Sequence, residues 1–220
     1  MENFVVAIDG PAGSGKSTIA KLLSKEFDLT YLDTGAMYRM VALYFLDNNI
    51  DFNNIVQIKK VLPLIEIDIL DGKFILNGKD VSLEIRTPRV TEKVSFAAKI
   101  KEVREKLVDL QRKISFGKNV VLDGRDIGTV VFPDADLKIF LIASPEERAR
   151  RRVKDYADKG MQEDYNEVLE SIKERDYIDS HRDESPLKKA EDAIELDSSS
   201  MEIGETLEVL GKYIKEKKGE

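Results

Sequence analysis

An α/β fold carrying a five-stranded, mostly parallel sheet is what this 220-residue sequence predicts, and three observations predict it. Short apolar runs rich in valine and isoleucine alternate with longer segments whose apolar residues recur three and four apart. The first such run is followed at once by a glycine-rich stretch that opens a helix-like segment. Only residues 64 to 87 break the alternation, with a two-residue period that belongs to an antiparallel insertion. The length suits one domain with small insertions, or at most two compact ones, and 42% hydrophobic residues are enough for a sizeable core.

The elements follow in order. Phe4 to Ile8 is a continuous apolar run, as a buried parallel strand requires. Residues 17 to 27 (STIAKLLSKEF) have helical spacing. Tyr31 and Leu32 form a short second strand ending at Asp33, and 36 to 47 (AMYRMVALYFLD) reads as a helix. In the insertion, IEIDIL alternates apolar and acidic residues, Asp71-Gly72 supplies a turn, and KFILNG resumes, which is a hairpin pattern. Residues 89 to 116 are charged and periodic and read as one or two helices. Asn119 to Leu122 is a third strand ending at Asp123-Gly124, and Leu137 to Ile142 a fourth. Ser144-Pro145-Glu146-Glu147 combines a cap, a proline at the first position and acids in the first turn, so a helix starts at 145 and runs to 159. Another spans roughly 163 to 178. Ala193 to Leu196 is the fifth strand, and a closing helix covers 201 to 217 before a lysine-rich tail.

Composition excludes several kinds of chemistry. The chain has no cysteine, so disulfides, zinc-thiolate sites and cysteine nucleophiles are absent, which fits a cytoplasmic location. The start, MENFVVAIDGPAG, has no basic leader, and its apolar run is too short for a signal peptide or a membrane span. A formal net charge of -7 argues against general nucleic-acid binding. Arginines nevertheless gather at Arg148, Arg150, Arg151 and Arg152, and others sit singly beside aspartates, which suits a small polyanionic ligand.

The strongest motif is Gly10-Pro11-Ala12-Gly13-Ser14-Gly15-Lys16-Ser17, followed by Thr18. It fits G-x-x-x-x-G-K-[ST], follows a strand and opens a helix. Such a loop wraps backbone N–H groups around phosphate oxygens, and the helix start adds partial positive charge. Lys16 reaches the outer phosphates, and the Ser17 hydroxyl suits Mg²⁺. The motif identifies a nucleoside triphosphate site without identifying the reaction. A GTPase-like switch would carry D-x-x-G, and no aspartate in the chain starts one. A phosphotransferase needs a second anion site and a means of excluding water.

Four further stretches supply candidates. Thr34 and Arg39, in DTGAMYR after the second strand, offer a hydroxyl and a guanidinium fork. Asp123 ends the third strand as the magnesium-shell acid of a triphosphate site does, acting through water, and Arg125 and Asp126 follow it. Arg148, Arg151 and Arg152 share a helix face, where like charges repel until a triphosphate relieves them; the stretch reads as a lid or as a solvated basic face. Arg175, Asp179 and Arg182 recur at helical spacing, as acceptor ligands or as surface ion pairs. His181, the only histidine, reads as exposed and incidental.

Together these residues resemble the bacterial cytidylate kinases. The resembling segments are IDGPAGSGKST, LDTGAMYR, EIRTPRV, LDGRDIGTVVFPDADLKIFL, IKERDYIDSHRD and SPLKKAEDAIELDSS, and they span nearly the whole chain. The resemblance implies one nucleoside monophosphate kinase domain: a core of 1–35, 117–145 and 180–220, an acceptor-binding region of 36–105 with its β insertion at about 62–87, and a lid at about 146–165. It implies transfer of the γ-phosphoryl of ATP to CMP or dCMP by a monomer with Mg²⁺ as cofactor and no nucleic-acid or membrane partner. It also implies an acceptor set of Thr34, Arg39, Arg104, Arg125, Asp126, Arg175, Asp179 and Arg182. Arg39, Arg125 and Arg182 would meet phosphate or sugar, and Asp126, Asp179 and Arg175 base or ribose. Residues 10 to 18 would hold ATP, with Arg148 and Arg152 as lid arginines; Lys16, Arg125 and Arg152 would carry the catalytic charge. UMP as acceptor, or nucleotide binding without transfer, stay open on the residues alone.

Overall fold

In a computed structural model, residues 3–70, 72–158 and 160–219 are described. The chain divides into two compact units, residues 1–32 with 114–220, and residues 33–113.

The first unit holds β1 (Val5–Asp9) and α1 (Lys16–Glu26). It continues with β2 (Thr30–Asp33), whose last residue begins the second unit. The second unit contains α2 (Thr34–Asp47), α3 (Ile55–Val61), β3 (Ile67–Leu70), β4 (Lys73–Leu76), β5 (Lys79–Asp80), α4 (Pro88–Thr91), α5 (Val94–Lys99) and most of α6 (Lys101–Ser115). The first unit then resumes with β6 (Val120–Gly124), a π-helical turn (Ile127–Val131), β7 (Leu137–Ile142), α7 (Pro145–Asp158), α8 (Tyr165–His181), β8 (Ile194–Asp197) and α9 (Ile203–Lys218).

The five-stranded sheet of the first unit has the order β2-β6-β1-β7-β8. β1 runs parallel to β6 and β7, and β7 parallel to β8. Parallel neighbours need crossover connections, and helices supply them. The register pairs Ile8 with Asp123 and Asp9 with Gly124, so the glycine loop after β1 and the acidic end of β6 emerge side by side. Val6, Ile8, Val121, Ile139 and Leu141 from the strands pack with Ile19 and Leu23 of α1 and Leu210 and Ile214 of α9, all buried. A smaller cluster of Ala149, Val168 and Ile172 joins α7 to α8. The expected parallel sheet is therefore present. Ser144 caps α7, its Oγ accepting from Glu147 N at 3.2 Å. The lysine-rich tail continues α9 as far as Lys218, and Gly219, at φ +76°, closes the helix.

In the second unit the insertion is a three-stranded antiparallel sheet, β3-β4-β5, with Ile67 opposite Leu76 and Leu70 opposite Lys73. β5, only two residues long, goes beyond the expected hairpin. Asp71 of the expected turn lies outside the described residues; Gly72 has φ +76°. The stretch read as one or two helices is three, α4, α5 and α6. The reason lies in the side chains. At roughly 100° per residue, one unbroken helix would aim Val103 and Leu107 well away from the face of Val90, Val94 and Ala97. Ile100, extended at φ −79° and ψ 117°, breaks the helix, and all five become buried. α2 is buried along most of its length, with Ala36, Met37, Met40, Val41 and Phe45 inaccessible to solvent. Among the described residues no helix is long and apolar enough to cross a membrane.

Candidate active site

The glycine loop joins β1 to α1. Gly10 has φ +148°, and a Cβ there would lie 2.0 Å from the carbonyl oxygen of Leu141, so only glycine lets the loop leave the sheet beside β7. Gly15, at φ +94°, occupies the N-cap of α1 in the left-handed conformation. Three donors hold carbonyls of the loop. Lys16 Nζ donates to Pro11 O at 2.5 Å, Arg148 Nη1 to Ala12 O at 3.0 Å, and Ser198 Oγ to Ser14 O at 3.3 Å. Loop amides that are not used within the loop, with the start of α1, are the donors that such a loop offers to phosphate oxygens. Lys16 is buried, and that burial, with Arg125 adding repulsion, holds its ammonium well below the usual lysine range. The negative charge of an arriving polyphosphate would offset both effects.

Ser17, in the first turn of α1, donates its hydroxyl to Asp123 Oδ2 at 2.7 Å. The Tyr31 hydroxyl of β2 donates to Asp123 Oδ1 at 2.8 Å. Adjacent strands thus bring a serine oxygen and a carboxylate together at the mouth of the loop. No group of three or more acidic or histidine side chains suited to a metal occurs among the described residues. A sparse all-oxygen donor set of this kind fits Mg²⁺, which keeps waters and takes further ligands from phosphates.

A cluster of arginines and acids stands at the other functional stretches of the same unit. Arg125 Nε is 2.9 Å from Asp179 Oδ2, and Arg175 Nε is 4.0 Å from the same oxygen. Arg182 Nη2 is 3.7 Å from Asp126 Oδ1, and Arg182 Nε donates to Ser185 O at 2.7 Å. Asp126, Asp179 and Arg182 are all buried. Burial alone would push the Asp179 carboxyl up, but Arg125, Arg175 and Arg182 together hold it below the usual range. The spacing correctly puts Arg175 and Asp179 one helical turn apart on α8. Arg182 differs from its expected helical position: α8 stops at His181, and Arg182 is extended at φ −72° and ψ 145°.

The second unit contains Thr34, Arg39 and Arg104. Asp33 caps α2, accepting from Ala36 N at 2.8 Å, and its carboxylate also holds two guanidinium groups, Arg39 and Arg86, each at 3.3 Å. Arg39 Nε is buried without a hydrogen-bond partner, which leaves donor capacity toward an anion. Thr34 is buried in the first turn of α2. Arg104 is buried, donates to Ala98 O at 3.3 Å and lies 5.4 Å from the Tyr38 ring centroid.

On α7 the mutual repulsion expected among the arginines is met inside the protein. Arg148 forms a two-pronged pair with Asp176, at 3.0 and 2.5 Å, and Arg151 pairs with Glu147 at 3.1 Å. Arg152 is half-buried and has no hydrogen-bond or ion-pair partner among the described residues. Sequence reasoning gave no role to Asp9, Tyr31, Asp33, Asp176 or Ser198. Asp9, Asp33, Asp176 and Ser198 lay within the quoted segments IDGPAGSGKST, LDTGAMYR, IKERDYIDSHRD and SPLKKAEDAIELDSS, but neither they nor Tyr31 carried a signal of their pairing.

A glycine loop with lysine between a parallel strand and a helix, an acid on the neighbouring strand, and guanidinium groups paired with acids define a P-loop kinase. A sequence model of the cytidylate kinase family matches residues 6–216, and the chain belongs to that family. A cytidylate kinase from Fusobacterium nucleatum is 59% identical over 99% of this chain and 100% of its own length. One from Clostridioides difficile is 49% identical over 94% and 96%. Among solved structures, shikimate kinase from Bacteroides thetaiotaomicron superposes with a TM-score of 0.50 at 12% identity, over 96% of this chain and 98% of that one, a likeness of fold alone.

Proposed function

We propose that the protein transfers the γ-phosphoryl group of ATP to CMP, and less efficiently to dCMP, giving ADP and CDP or dCDP. The observation that carries this reading is a phosphate loop and a cluster of buried guanidinium–carboxylate pairs within one unit of a cytidylate kinase family member. An acceptor phosphate oxygen forms a bond to the γ-phosphorus, the bond to the β–γ bridging oxygen breaks, and ADP leaves with the electron pair. The attacking oxygen is already anionic at neutral pH, so the chain has to supply position and charge rather than a strong base. Residues 10 to 18 bind the ATP phosphates through the loop amides and Lys16, and Arg152 adds its guanidinium. Arg148 contributes to the same site through Ala12. Ser17, and Asp123 through water, are the residues that would hold Mg²⁺, which supplies charge neutralisation across the β- and γ-phosphates when bound.

For the acceptor, Arg39, Arg125 and Arg182 are assigned to phosphate or sugar and Asp126, Asp179 and Arg175 to base or ribose, with Thr34 and Arg104 as further members of the set. Two polyanions meeting head-on repel strongly, and these arginines offset that repulsion. Closure of the stretch at about 146–165 would exclude water and suppress hydrolysis of ATP. A monomer in the cytoplasm completes the proposal; the absence of cysteine fits that compartment. The test is a coupled assay with ATP and a panel of CMP, dCMP, UMP, AMP and shikimate. CMP should give the highest kcat/KM; slow hydrolysis unaffected by every acceptor would reduce the protein to a nucleotide binder.

A further inference from the structure

Asp9 ends β1 and directly precedes Gly10 of the phosphate loop, yet its hydrogen bonds run elsewhere. Its carboxylate is buried, and each oxygen accepts one backbone N–H: Oδ1 from Ile127 and Oδ2 from Gly128, both at 2.8 Å. These amides are the first two of the π-helical turn Ile127–Val131. Helix starts leave N–H groups without internal partners, and the turn's own N-cap residue, Asp126, makes no side-chain cap. The cap comes instead from Asp9, more than a hundred residues away in sequence. π turns are rare and recur at functional sites. This one is closed by Val131 N to Asp126 O at 3.2 Å and Phe132 N to Ile127 O at 2.7 Å. The two residues immediately before it are Arg125 and Asp126, which face Asp179 and Arg182.

We propose that Asp9 is a positioning residue for the acceptor: by gripping the amides of Ile127 and Gly128 it fixes the backbone from which Arg125 and Asp126 project. Although it adjoins the donor loop in sequence, its action is on the acceptor side. Gly128 is the other half of the grip. A Cβ at that position would lie 3.1 Å from Lys138 Cδ and 3.4 Å from Asp9 Oδ2, so alanine requires Lys138 or the turn to give by a few tenths of an ångström. Lys138 is itself fixed, since it donates to Pro133 O and to Asp192 at 2.9 Å and cannot easily give way. The burial of Asp9 pushes its carboxyl up to about 6, with Asp126 adding repulsion and Lys16 attraction, so the two amides are what keep a carboxylate tolerable in this place.

The inference rests on CMP as the acceptor and is tested by Asp9→Asn and Gly128→Ala. Asparagine retains one acceptor but turns an NH₂ group toward one of the two amides. Both variants should raise KM for CMP about tenfold or more, while the Kd for ATP, measured by calorimetry, changes less than about threefold. A lesion of general structure at Asp9 would strike Gly10 first and weaken ATP at least as much. The core variant Leu210→Ala provides the profile of mere destabilisation, and it should not show the CMP-selective split. Variants that lose ATP and CMP affinity together, or that keep the wild-type KM for CMP, overturn the proposal. If Asp9→Asn fails to fold, Gly128→Ala decides the question by the same two measurements. Wild-type protein that does not phosphorylate CMP would refute the functional reading itself, whereas wild-type turnover with an unaffected Asp9→Asn variant refutes only the positioning role.

Discussion

The phosphate loop and the arginine cluster of the first unit manage charge by opposite means. The loop works with backbone: its carbonyls are tied by Lys16, Arg148 and Ser198, and N–H groups are what it offers to phosphate. The cluster works with side chains, in which carboxylates hold guanidinium groups that would otherwise repel, as Asp179 does for Arg125 and Arg175. A backbone site depends on local conformation and therefore on a contiguous motif. A side-chain site depends on tertiary assembly, because its members come from the two residues between β6 and the π-helical turn, from α8 and from the residue that follows α8. The difference teaches where each site is vulnerable: the loop at its glycines and its one lysine, the cluster at its acids.

The largest expected effect breaks the loop's side of this comparison. Lys16→Ala removes a buried ammonium from among fixed dipoles, and kcat should fall on the order of 10²–10³-fold, as loss of a single transition-state charge stabiliser does. Single-turnover measurements at saturating ATP and CMP check it; normal turnover would remove Lys16 from the reaction. Asp179→Ala tests the other side. It leaves Arg125, Arg175 and Arg182 facing one another in a buried site. Loss of one partner of a buried pair costs about 3–5 kcal/mol, so the melting temperature should drop together with kcat/KM for CMP, with the Kd for ATP spared. A larger loss in ATP affinity than in CMP affinity would reverse the assignment of the two sites.

The two buried acids of this unit should also titrate with opposite sign. Asp179 is held below its usual range by arginines, so its stabilising contribution stands above about pH 4 and is lost as pH falls through its lowered folded value. Asp9 is raised to about 6. Between about pH 4 and 6 the folded chain keeps a proton on Asp9 that the unfolded chain has released, so stability declines as pH rises through that window. The decline is on the order of 3 kcal/mol at most, with Asp126 on the repulsive side and Lys16 as the attracting cation. Thermal denaturation followed against pH should therefore be flatter between 4 and 6 in Asp9→Asn and flatter below 4 in Asp179→Asn. Identical profiles for the two variants would contradict the opposite environments.

Most of the loop was legible before the fold was known, because G-x-x-x-x-G-K-S lies between a valine-rich run and a helical period, and all three signals are contiguous. The parallel sheet followed from the same alternation. What was not legible required partners distant in sequence. Nothing local says that Asp9 caps residues 127 and 128, that Tyr31 shares Asp123 with Ser17, or that Arg148 turns inward to Ala12 and Asp176 rather than outward. The break at Ile100 was hidden for a related reason: the charged period of 89 to 116 is continuous, and only burial against the rest of the second unit bends it.

The smallest expected effect bears on whether either site needs a base. His181, the last residue of α8, is exposed, stacked on Tyr177 at 4.1 Å between ring centroids, with Nδ1 2.9 Å from Tyr177 O. It adjoins Arg182 in sequence, so it is the histidine best placed to be mistaken for a catalytic one. If charge and position suffice for phosphoryl transfer, His181→Ala should leave kcat/KM for CMP within about twofold of wild type from pH 6 to 8. A loss beyond tenfold would mean that the cluster supplies a proton acceptor as well as charge. The contrast between a backbone site and a side-chain site would then have to include a titrating group on the second of them.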